Sequence, residues 1–117
     1  MTQQNCILVG APLDSGKRSR GCLMGPDAYR TAGLDTALAD LGHTVTDRGN
    51  VAPAPYTPGQ HPKLHALEET VAWTQSLADA AEAALHDGTP IFMGGDHALA
   101  SGTVLGAMRF AQAQNRP

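Results

Sequence analysis

The chain has 117 residues, 42% of them hydrophobic and 4% aromatic, and a net charge of -3. That length suits one domain spanning residues 1–117, with a core built from aliphatic side chains and alanine. The composition excludes a disordered chain, the charge offers no basic stripe for a nucleic acid, and no stretch reaches the ~20 apolar residues of a membrane span.

Met1 to Asn5 is polar, with no basic flank or long apolar run, so it does not read as a secretory signal. Cys6 and Cys22 are therefore expected as free thiols in a reducing, cytoplasmic setting, Cys6 as a small core residue. Cys6-Ile7-Leu8-Val9-Gly10-Ala11 is a continuous apolar run that suits a buried parallel strand, ended by Pro12. Leu13 to Gly25 holds three glycines and four charges and reads as a loop, with Lys17, Arg18 and Arg20 as a solvated basic cluster. Pro26 suits the first turn of a helix, in which Leu34, Leu38 and Leu41 recur at helical spacing until Gly42 stops it.

Thr44-Val45-Thr46-Asp47 alternates and predicts a second strand. Asn50 to Lys63 carries Pro53, Pro55, Pro58 and Pro62, which forbid regular structure and predict an extended connection. From Leu64, the residues Leu64, Leu67, Val71, Ala78, Ala81 and Leu85 predict one face of a long helix closed by Gly88. Pro90 to Met93 reads as a third strand, Gly94-Gly95 as a turn, and Ala100, Val104, Ala107, Met108 and Ala111 as the stripe of a last helix. Strand and helix alternate three times, the pattern of an α/β fold on a parallel sheet.

Ile91-Phe92-Met93-Gly94-Gly95-Asp96-His97-Ala98 holds the most chemistry: a buried strand, two glycines, an acid, a histidine, then a helix. Ligands of open α/β sheets bind beyond the carboxyl ends of the strands, where His97 would stand. On the residues alone, Asp96 reads as a helix cap beside a polar histidine; a metal ligand at His97 is the sharper alternative. Gly10 to Arg18 only approaches a phosphate-binding loop: five residues separate its glycines, Arg18 stands where Ser or Thr is needed, and Pro12 removes a donor. His61 and His65 have the spacing of a zinc pair, but Pro62 sets His61 at a helix boundary, so they read as exposed loop residues. His43 and His86 lie near helix ends, where a cation favours the dipole.

Several segments together resemble one family. Val9-Gly10-Ala11-Pro12, Arg20-Gly21-Cys22, Met24-Gly25-Pro26, Arg30, Ala32-Gly33-Leu34, Leu41-Gly42, Val45 and Asp47-Arg48-Gly49 resemble the opening of arginases, and the likeness resumes at Gly94-Gly95-Asp96-His97, Leu99-Ala100 and Gly102-Thr103. Agmatinases share the early Gly-Pro segment and the Gly-Gly-Asp-His turn, but Gly21 to Pro26 and Arg30 to Leu34 look more like bacterial arginases. The resemblance implies a three-layer α/β sandwich cut to its first three strands, with the first strand between the other two. It also implies two manganese ions that activate a bridging water to hydrolyse L-arginine to L-ornithine and urea. His97 takes the place of one family metal ligand, with Asp96 behind it as a second shell or helix cap. Ala98 departs from the serine common at that position.

The family's Asp-Ala-His-x-Asp segment, its later aspartate pair and its substrate-contacting residues have no counterpart here. No catalytic residue is therefore expected in the chain, and His97 alone should bind manganese weakly. Three readings of different class follow: an arginase segment that acts only when the missing ligands are supplied, a non-catalytic module that self-assembles, and a segment with no role of its own. The strand around Phe92 is expected to lie at an open sheet edge and to pair with another copy, giving a homo-oligomer without nucleic acid or membrane.

Overall fold

The computed structural model describes residues 2–117. The apolar run expected to be buried forms β1 (Asn5–Ala11), and all six of its residues from Cys6 to Ala11 are buried. It is flanked by β2 (Thr44–Asn50) and β3 (Thr89–Gly94) in the order β2-β1-β3, both parallel to it. A strand enclosed on both edges and both faces keeps no polar side chain in contact with water, which is why β1 is continuously apolar. Helices α1 (Gly25–Thr31), α2 (Leu34–Asp40), α3 (Leu67–Asp87) and α4 (Leu99–Ala113) complete the described elements.

Alternation along β1 assigns the layers. Ile7 and Val9 pack on Ala84 of α3, whereas Gly10 faces Arg30 of α1. Helices α3 and α4 thus cover one face and α1 and α2 lie on the other, the expected three-layer α/β sandwich.

The pairing of β1 with β2 slips between Leu8 and Gly10, where Leu8 faces Asp47 and Gly10 faces Asn50. Three residues on β2 therefore match two on β1, a bulge at Gly49, whose φ is 75°. Residues three apart on a regular strand point to opposite faces; the bulge turns Asp47 and Asn50 to the same one. Arg30 reaches both: Nε and Nη2 donate to the two Asp47 carboxylate oxygens at 2.7 and 3.0 Å, and Nη1 donates to Asn50 Oδ1 at 2.7 Å. The fork geometry of guanidinium on carboxylate makes this a charge-assisted, two-bond contact that ties α1 to β2.

Helix α3 buries two stripes. Trp73, Leu77 and Ala84 face the sheet with Ile7, Val9, Ala11 and Leu13. Ala78 and Ala81 meet α4, where the buried Gly102 and Gly106 bring the helices close: a Cβ on Gly106 would lie 2.5 Å from the Ala78 carbonyl oxygen. His86 and Phe110 add an edge-to-face contact with ring centres 5.0 Å apart.

Three helical expectations need correction. The single helix from Pro26 to Leu41 is two, because Gly33 adopts φ 85° and breaks the repeat; α2 buries no residue, and Leu41 is 59% exposed. The long helix begins at Leu67, after Ala66 with φ 48°, so Leu64 lies outside it, exposed. Its buried arc is centred on Trp73 and Leu77 rather than Val71, which is exposed, since one helix serves both the sheet and a neighbouring helix. Likewise Val104 and Met108 of α4 face solvent, and the glycines make the contact.

Candidate functional site

The carboxyl ends of β1 and β3 meet where the chain leaves both strands. Gly95 N–H donates to the Ala11 carbonyl at 2.9 Å and Asp96 N–H to the Leu13 carbonyl at 2.9 Å, so the turn after β3 continues the sheet onto the loop after β1. A Cβ on Gly95 would sit 1.9 Å from the Leu13 carbonyl oxygen, so only glycine admits this approach.

Asp96 is 6% exposed. Its Oδ1 accepts from the Ala98 N–H at 2.7 Å, an Asx turn that braces the approach to α4; Ala98, not Asp96, stands at the helix N-cap, and no side chain caps it. Its Oδ2 accepts from the Gly16 N–H at 2.8 Å, a contact with no signal in the sequence. The loop of Gly16 has two further ties: Thr70 Oγ1 of α3 donates to the buried Ser15 hydroxyl at 2.9 Å, and His65 Nε2, ahead of α3, donates to the Lys17 carbonyl at 2.9 Å.

His97 follows, exposed, in an open cleft of about 530 Å³ that it shares with Gly16, Lys17 and Ser101. Among the described residues, no three His, Cys, Asp or Glu side chains converge on one point. Both Asp96 oxygens are turned to backbone N–H groups, whereas the His97 ring is exposed to the cleft. One imidazole does not hold a divalent cation, so these residues do not by themselves fit a binuclear centre.

The remaining histidines are structural. His61 Nδ1 accepts from the N–H groups of Lys63 and Leu64, and His65 holds the Lys17 loop, so the two do not share a ligand. His43 Nδ1 accepts from the Gln4 N–H at 3.0 Å, joining the turn before β2 to the start of β1; this bond, not a helix dipole, accounts for its place. Cys6 is buried and both cysteines are unpaired. No described helix is long and apolar enough to cross a membrane.

The family model described as Arginase family matches residues 4–115. Arginases of Brucella melitensis and Agrobacterium fabrum are 46% and 45% identical to the chain, over 96% and 93% of its length. The crystal structure of arginase from Bacillus subtilis superposes with a TM-score of 0.79 at 31% identity, covering 92% of this chain and 35% of that one. The chain spans 37% of the length of the Brucella relative and 35% of the Agrobacterium one. With the Gly-Gly-Asp-His turn at the carboxyl edge of a parallel sheet and a match over nearly its whole length, the chain belongs to the arginase family of ureohydrolases.

Proposed function

We propose that the chain is the N-terminal segment of an arginase-type ureohydrolase and contributes one metal ligand, His97, to a manganese centre whose other ligands lie outside residues 1–117. On this reading the complete enzyme hydrolyses L-arginine to L-ornithine and urea, and the segment alone does so barely or not at all. The observation that carries the reading is His97 itself: it stands exposed at the carboxyl edge of β3, on a turn braced by buried Asp96, with no second free donor beside it among the described residues. The unpaired Cys6 and Cys22 fit a reducing compartment, so the proposal places the protein in the cytoplasm.

Manganese titration by calorimetry tests the assignment. Mn2+ prefers many oxygen donors, so the expected result is weak binding that His97→Ala abolishes. Tight stoichiometric binding by the isolated chain contradicts it.

A second reading, self-association, draws on a different observation. Among the described residues β3 has no strand on its outer edge, and Val104 and Met108 of α4 are 57% and 53% exposed. An unpaired strand edge and exposed apolar side chains both favour pairing with a second copy.

A further inference from the structure

We infer that Asp96 is a positioning residue that clamps the loop after β1 to the His97 turn, so that one carboxylate joins two segments lining the cleft of His97. The inference rests on the reading of His97 as a metal ligand given above.

An Asx turn needs one oxygen. Asp96 uses two, and they point to elements far apart in sequence: Oδ1 to the Ala98 N–H at 2.7 Å, Oδ2 to the Gly16 N–H at 2.8 Å. Its own backbone N–H adds a third tie, to the Leu13 carbonyl at 2.9 Å. The fit is tight, since a Cβ on Gly16 would lie 3.0 Å from each carboxylate oxygen and 3.1 Å from Ala98 Cβ. Gly16 and Lys17 line the same cleft as His97, so the clamp holds that part of the lining in place. With both oxygens turned to backbone N–H groups, Asp96 acts through the residues it places. The loop has a second anchor, from Thr70 to Ser15 and from His65 to Lys17, which leaves Gly16 as the part that depends on Asp96.

Asparagine and serine side chains also accept from a backbone N–H two residues on, so Asp96→Asn and Asp96→Ser keep an acceptor for Ala98. Neither holds both partners: asparagine offers one oxygen, and serine is too short to reach Gly16. Amide exchange in the 15N-labelled full chain should show the Gly16 N–H exchanging about tenfold faster or more in both variants, with Ala98 still protected. Added Mn2+ is the second probe: its broadening of the Gly16 and Lys17 amides, relative to Ala98, should fall in both variants. Unchanged Gly16 protection in folded Asp96→Asn and Asp96→Ser would reduce Asp96 to a local turn residue and overturn the inference. If neither variant folds, Thr70→Val decides, because it loosens the loop from α3 while leaving Asp96 in place. Gly16 should then stay protected; its loss would assign the order of the loop to α3 and also overturn the inference. The two claims fail separately. Absence of Mn2+ broadening around His97 in the unaltered chain sinks the ligand reading, whereas Gly16 exchange judges the clamp.

Discussion

Arg30 and Asp47 show how a residue's environment sets a pH dependence. The hydrogen bonds from Arg30 hold the Asp47 carboxyl below its usual range, partial burial opposes them, and the Gly49 N–H adds to the lowering. Arg30 is shifted the other way, upward, by the same carboxylate, and so stays charged wherever Asp47 titrates. A lowered folded value means that the contribution is fully present above the unfolded carboxylate pKa of about 3.9 and is lost as pH falls through the folded one. With a third of the Asp47 side chain exposed, solvent screening limits the pair to about 1 kcal/mol. Asp47→Asn should therefore lower the melting temperature at pH 7 and flatten its fall as the pH drops below the unfolded carboxylate value of about 3.9. Thermal melts across that range decide the point, and parallel curves for the two proteins would refute it. The sequence made one half of such pairs visible. Asp96 reads as a cap because Ala98 is its near neighbour, but Gly16 lies 80 residues away and gives no local sign of its bond. The Arg30 contacts were hidden for another reason: a bulge at Gly49 decides which way Asp47 and Asn50 point.

Among the elements, β1 and the turn after β3 were legible because burial on both faces and a run of glycines leave local marks. Helix α3 was legible in extent but not in orientation. Apolar spacing locates a stripe on the assumption of one partner, and α3 has two, the sheet and α4. Alanine and glycine at that second contact are small, so the alignment of bulkier Val104 and Met108 drew the stripe of α4 on its solvent side. Two leucines give a direct measure of the difference. Leu77 is fully buried between β1 and α4, and Leu77→Ala should cost about 2–5 kcal/mol in denaturant unfolding. Leu41, part of the apparent stripe before Gly42, is 59% exposed. Leu41→Ala should stay within about 0.5 kcal/mol. Equal losses at the two positions would show that α2 packs against the core after all.

For the molecule as a whole, helical spacing and alternation pointed to a parallel α/β sheet, and the resemblance to arginases supplied the placement of β1 between its neighbours. Its edges differ in chemistry: β2 carries Asp47 and Arg48, whereas β3 is uncharged and is interrupted only by Pro90. Self-association through β3 and α4 is best tested away from Phe92, because Phe92 packs on the Ile7, Val9 and Ala84 cluster and a charge there would disturb the fold itself. Val104→Lys with Met108→Lys alters exposed positions only. Light scattering should show more than one chain per particle in the unaltered protein and a smaller mass in the double variant, with the melting temperature nearly kept. A single-chain mass for the unaltered protein at micromolar concentration, with cooperative unfolding, would end that proposal. The proposed function has this arginase-family chain bring His97 to an incomplete metal site. Urea release from L-arginine by the purified chain with added manganese measures it most directly. Turnover is expected to be absent or barely above background. Turnover comparable to an ordinary arginase, abolished by His97→Ala, would contradict it and show that copies of this chain assemble a complete site of their own.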